Sequence, residues 1–172
     1  MAEITRNLIV PFIDTAQKAT AESTTEATFV PIDLSTTFEL GYNAVTDTKS
    51  YICYKNDTNT LTGFQPSMDQ EIALDNTNPM WMFIEDLRRR MPVGADAKYP
   101  VLIATPDING TSTAPVFGQL WPDAMIYPDT LNSVDGILTF HIDLNGAAVD
   151  GTVSGVGTDT VTFTPTTAGG GV

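Results

Sequence analysis

The stretch GILTFHIDL, Gly136 to Leu144, sets Leu138, Phe140, Ile142 and Leu144 against Thr139, His141 and Asp143. Successive side chains of an extended chain point to opposite faces, so this period of two predicts a strand with one buried and one wet face. The same alternation recurs in IDLSTTFEL, where Ile32, Leu34, Phe38 and Leu40 oppose Asp33, Ser35, Thr37 and Glu39. It recurs in MDQEIAL, where Met68, Ile72 and Leu74 alternate with Asp69 and Glu71, although Gln70 falls on the apolar side. TDTVTFT, near the C-terminus, is a weaker example in which Val161 and Phe163 oppose threonines. Threonine makes up roughly one residue in seven, and its β-branched side chain suits a pleated, half-buried surface. The chain therefore reads as mainly β.

Two further segments read as strands. SYICYK, Ser50 to Lys55, is apolar on both faces and predicts a buried strand, turned by NDTNT into LTGF as a hairpin. YPVLIATP, Tyr99 to Pro106, predicts another, closed by Asp107, Asn109 and Gly110. Between Thr113 and Leu131, Pro115, Pro122 and Pro128 argue for an edge strand or a long loop.

One helix is expected over Pro79–Met91, PMWMFIEDLRRRM. Asn78 suits the N-cap, Pro79 the first helical position, and Pro92 with Gly94 the stop. Met80, Phe83, Ile84, Leu87 and Met91 form one apolar stripe, which predicts a helix packed on a sheet face. Arg88, Arg89 and Arg90 occupy its last turn, where the helix dipole favours cations, and Glu85 is placed to pair with Arg89. This cluster reads as a solvated helix end or as a docking patch for a neighbour's acids. Residues 14 to 28 read as a polar flexible loop or arm, and residues 165 to 172 as a Gly-rich tail of a single domain spanning residues 1–172.

The composition narrows the function. Eight Lys and Arg against 21 Asp and Glu leave a net charge of −13, which disfavours tight nucleic-acid binding. One Cys and one His exclude an intrachain disulfide and the usual zinc sites, and no metal or cofactor is expected. His141, on the wet face of its strand, reads as solvated, and Cys53, inside YICY, as a small core residue. No P-loop, GxGxxG or HExxH is present, so no catalytic residue is assigned. The N-terminal stretch has neither a signal peptide nor a membrane span, which predicts a protein made in the cytoplasm and not secreted. Trp81 is expected buried or half-buried, leaving Trp121 as the one obvious candidate for an exposed binding aromatic.

From Tyr51 onward the order of elements resembles the major tail tube proteins of long-tailed bacteriophages. Tyr51 and Ile52 precede an aromatic-x-Pro-Ser step at Phe64, Pro66 and Ser67. The acidic strand of Asp69 and Glu71 comes next, then the helix from Pro79 to Arg90, then Val93, Gly94 and Ala97. A looser likeness runs through the Phe-x-Ile strand, Asn145, Gly146, Val149, Gly151 and Thr152. The resemblance implies a β-sandwich or partly open β-barrel with one flanking helix. It also implies a non-enzymatic virion protein whose hexameric rings stack into a hollow tail tube for DNA ejection. Its partners would be other copies of itself, the tail terminator and distal tail proteins, with the tape measure protein and DNA passing through the lumen. On that reading Asp33, Glu39, Asp69 and Glu71 either line the lumen or face outward, and Arg88, Arg89 and Arg90 become candidate interface residues. A head decoration or head-tail connector subunit is the main alternative, and a carbohydrate-binding or secreted hydrolase domain a third.

Overall fold

A computed structural model describes residues 9–53, 55–106 and 115–166, for Pro115 the backbone only. The expected turn at Asp107, Asn109 and Gly110 and the end of the Gly-rich tail lie outside these residues.

The architecture is a β-sandwich, one sheet of which curls into a partly open barrel, with a single α-helix among the described residues. The larger sheet has six strands: β1 (Val10–Asp14), β2 (Phe29–Pro31), β7 (Val101–Pro106), β8 (Pro115–Trp121), β11 (Val149–Ser154) and β12 (Thr162–Pro165). Their order is β12-β11-β8-β7-β1-β2, antiparallel throughout. The second sheet has four: β3 (Ser35–Gly41), β6 (Ser67–Ala73), β9 (Met125–Asn132) and β10 (Ile137–Asp143), ordered β3-β6-β10-β9. A separate hairpin joins β4 (Ala44–Lys49) to β5 (Thr58–Phe64).

Alternation on β7 divides the core in two. Val101 and Ile103 face the four-stranded sheet and the helix α1 (Pro79–Arg90), together with Ile13, Met68, Ile72, Phe140 and Ile142. Leu102 and Ala104 face the other way, into a second cluster with Phe12, Leu120, Val153 and Phe163. The curl that encloses this second cluster brings Gly118 opposite Gly151 across β8 and β11. A Cβ on Gly151 would collide with the Thr164 carbonyl, and one on Gly118 with the Val153 side chain, so glycine permits the close approach.

The helix forms as its end signals predict. Asn78 Oδ1 accepts from the Trp81 amide at 3.0 Å, and the chain stops at Met91, whose amide donates to the Leu87 carbonyl at 2.8 Å. Met91 adopts the left-handed conformation (φ 46°), which turns it off the expected stripe and into solvent. Met80, Ile84 and Leu87 remain fully buried.

Several expectations are corrected. Ser50–Cys53 and Lys55 belong to no buried strand: they lie in the connection between β4 and β5, with Ile52 and Cys53 exposed. Apolar residues there find no second layer, because the β4–β5 hairpin packs into neither sheet. β8 is a central strand despite Pro115, because that proline stands at the strand's first residue, at a register shift opposite Pro106. Pro128 does fall on an edge strand, β9, beside the register shift between Thr139 and Phe140. Trp121, expected as a candidate exposed aromatic, is half-buried against the main core. Residues 15–28 are pinned by buried Asp14, whose carboxylate accepts from the amides of Ala16, Lys18, Ala19 and Thr28.

Candidate functional site

Register across the four-stranded sheet sorts its side chains into rows. On the outer face one row runs Glu39, Asp69, His141, Tyr127 and the next Thr37, Glu71, Thr139, Thr130, with Asp143 beside Ser67 on the third. The opposite face carries Leu40, Met68, Ile142 and Ile126, then Phe38, Gln70, Phe140 and Pro128. Period-two alternation on β6 and β10, with β3 and β9 paired in register beside them, thus produces one largely buried face and one acidic face. None of the four strands contains Lys or Arg.

Of the four acids expected on a wet face, Glu39, Asp69 and Glu71 are brought together here, joined by Asp143. Asp33 is not among them. The chain leaves β2 before reaching the sheet, and Asp33 Oδ1 instead accepts from Asn78 Nδ2 at 2.9 Å beside the start of α1. Nothing in the sequence singles out Asp129, because its strand, interrupted by Pro128, carries no clean alternation. With Asp69, Glu71, Tyr127 and His141 it lines a shallow open depression of about 440 Å³.

His141 is held between carboxylates and is less solvated than its strand position suggests. Nδ1 bonds Asp69 and Nε2 lies 3.0 Å from Asp143. Burial pulls its pKa down, but the hydrogen bonds and charges of Asp69 and Asp143 outweigh this, and the imidazole ends above its ordinary value. It therefore offsets part of the repulsion between like charges placed side by side on the face. The Tyr127 ring lies 5.1 Å from the imidazole, and burial together with Asp143 pushes its phenol up. Both imidazole nitrogens meet acids, and neither bonds a Ser or Cys that it would activate. Among the described residues no group of His, Cys, Asp and Glu is arranged to hold a metal ion. No helix in them is long and apolar enough to cross a membrane.

The basic cluster lies elsewhere, at the C-terminal end of α1. Arg88 grips Glu85 with two bonds of 2.7 Å and Arg89 Nε adds a third at 2.8 Å. Arg90 bonds Asp86 at 2.6 Å and the Tyr99 hydroxyl at 3.3 Å. The Arg88 bond foremost, and then Arg89, hold the Glu85 carboxyl down at about 2 against its own burial. Each arginine thus has a partner in its own chain, yet the Arg89 side chain remains 71% exposed.

The β4–β5 hairpin presents Tyr42, Val45, Ile52, Leu61 and Phe64 as exposed apolar side chains on or beside its strands.

No protein-family model matches this sequence. No curated protein matches it either. Solved structures give partial likenesses. The sheath/tube terminator of the extracellular contractile injection system PVC, in its extended state, aligns over 87% of this chain and 97% of its own, with 6% identity and a TM-score of 0.49. The tube-terminating cap of the anti-feeding prophage aligns over 88% and 93%, with 12% identity and a TM-score of 0.48. A chain of the anti-feeding prophage baseplate aligns over 87% and 95%, with 10% identity and a TM-score of 0.46. Likeness at this level is one of chain course alone.

Proposed function

We propose that this chain is a non-enzymatic structural subunit of a phage-type tail, whose copies join edge to edge into rings that stack as a hollow tube with the acidic face on the lumen. One observation carries the reading. The four-stranded sheet has a largely buried face, an acidic face free of Lys and Arg, and two unlike edges, β3 and β9, open within the described residues apart from a single bridge from Met125 of β9 to Lys98. Open edges invite pairing with another chain. Because these two differ, copies joined β9 to β3 form a head-to-tail contact that closes into a ring when the rotation allows. Rings of six are the number the family resemblance implies.

The lumen wall then comprises Glu39, Asp69, Glu71 and Asp143, with Asp129 near the β9 edge. A basic wall would release counterions at each phosphate it met and hold DNA in transit, whereas an acidic one does not. Screening over about 8 Å at physiological salt makes the few inward acids count for more than the total charge. DNA and a tape measure protein would pass along this wall. The exposed hairpin would contact an adjoining ring, and terminator or distal tail proteins the two ends of the stack.

The test is negative-stain microscopy of the purified chain at rising concentration, with light scattering in parallel. Tubes or stacked rings are expected. Rings that never stack would assign the chain to a single-layer part of the tail. A monomer independent of concentration, at all salts and with tail chaperones supplied, would overturn the proposal.

A further inference from the structure

Two features on opposite edges of the four-stranded sheet are complementary. At the β3 edge, Ile9, Pro11, Ile32 and Phe38 line an open groove of about 810 Å³ that also reaches Gln70. Gln70 is 2% exposed; its Oε1 accepts from Ser35 Oγ at 2.8 Å, while Nε2 is buried without a partner. The bulge of β3 between Ser35 and Thr37 lies beside it. An amide has two hydrogen-bonding ends, and here only one is engaged.

At the β9 edge the chain leaves α1 through Met91 and Pro92 into Val93. Met91 and Val93 are 72% and 80% exposed and border an apolar hollow shared with Pro128 and Leu131 of β9. The left-handed backbone at Met91 makes this corner project from the helix end. Gln70 and Pro128 belong to one row on the core-side face of the sheet, so groove and corner lie on the same side of it. A sheet continued from β9 of one copy to β3 of the next brings them together. Charge agrees: Arg89 stands on the corner's last helical turn, and exposed Asp33 stands on the groove's rim.

We propose that the Met91–Val93 corner of one copy seats in the β3-edge groove of the next. The Gln70 side chain turns toward the groove on docking, so that a backbone carbonyl of the corner accepts from its Nε2, and Arg89 faces Asp33. The inference rests on the ring reading above and specifies its lateral contact. A second copy is the occupant because the two halves of the fit occur on one chain, at the two unlike edges of a single sheet.

Cysteine pairing tests it. In a Cys53→Ser background, which removes the exposed native thiol, Phe38→Cys and Val93→Cys are made singly and together. On oxidation the double variant is expected to give a ladder of covalent oligomers, and the two single variants mixed to give dimers. Each single variant alone should give neither. Assemblies visible by microscopy without cross-links would overturn this contact and leave the ring reading standing. No assembly of the Cys53→Ser parent would overturn both. A Val93→Asp variant gives a second measurement, since a residue so exposed leaves the fold intact. Its assembly threshold should rise at least tenfold with an unchanged melting curve, and an unchanged threshold would refute the contact.

Discussion

Replacing Gln70 with Leu should stabilise the isolated subunit and weaken its assembly. In the monomer the Gln70 Nε2 group is buried without an acceptor, at a cost of about 1–3 kcal/mol. Leucine removes that cost and places an apolar side chain in the row between Phe38 and Phe140. The substitution also removes the Ser35 bond, worth about 0.5–1.5 kcal/mol. Ser35 Oγ keeps an alternative acceptor, the Thr37 carbonyl at 2.7 Å, so no new buried orphan is created. The central balance is a gain of about 1 kcal/mol, which for a chain of this size raises Tm by about 2–4 °C. In the assembly the sign reverses. Each contact loses its donor to the neighbour's carbonyl, and a loss of about 1.4 kcal/mol per contact is tenfold in the association constant.

The assay is a thermal melt at a concentration low enough to keep the protein monomeric, followed by a light-scattering titration of assembly. Opposite signs in the two readings are the signature. A Tm that falls by more than about 2 °C would mean that the Gln70 amide is satisfied in the isolated subunit. A raised Tm with unchanged assembly would mean that the amide faces no neighbour.

Other consequences follow from the charged groups. His141 has a raised pKa in the folded chain, so its contribution to stability is fully present below the ordinary value of 6.5 and is lost as pH rises through the folded value. Monomer Tm should therefore fall across neutral pH, and His141→Gln should flatten the decline; parallel curves for the two proteins would refute this. Glu85 has its pKa lowered to about 2, so its contribution is present above 4.5 and is lost as pH falls toward 2. Glu85→Gln should cost about 1–2 kcal/mol at pH 7, the worth of charge-assisted bonds partly open to water, with the deficit closing in acid. A deficit in urea melts that does not depend on pH would count against the arginine clasp. Tubes carrying Glu39→Lys, Asp69→Lys and Glu71→Lys should retain double-stranded DNA at low salt and release it as salt rises, while unmodified tubes retain none. Equal retention by both would remove these acids from the lumen.

The parts of the fold that are legible in the sequence are those where local pattern and tertiary burial agree. β10 alternates without exception because it is an interior strand with one dry and one wet face, and each side chain reports its face. The helix is legible because Asn78, Pro79 and Pro92 punctuate it independently of what it packs on. YICY misleads because apolarity predicts burial only if a second layer exists to supply it, and the β4–β5 hairpin stands outside both sheets. Asp33 is misplaced by its pattern because an alternating run does not reveal where its strand begins: the pairing of β3 with β6 starts only at Ser35. Position within a sheet is decided by pairing between segments far apart in sequence, which a local period does not carry. Residues 14–28 look polar and free because what holds them is not a local period: Asp14 turns its buried carboxylate onto backbone amides of the loop, and Gln17 and Thr24 bond the distant carbonyls of Lys98 and Phe163.

The misleading residues coincide with the places where the isolated subunit departs from the rules of a self-sufficient core. Ile52 is apolar and exposed, Gln70 is polar and buried on an apolar face, and Met91 leaves its helical stripe for solvent. In a self-contained domain each departure costs stability without return, and consistency between local pattern and global fold breaks mainly at functional sites. Catalysis would gather such departures around one pocket with a nucleophile or base. Here they lie under a groove beside one sheet edge, at a helix end and in a hairpin connection, while on the acidic face the imidazole is partnered by carboxylates. That distribution suits a subunit that reaches its full complement of contacts only beside another copy, with burial, hydrogen bonding and edge pairing completed by the same neighbour.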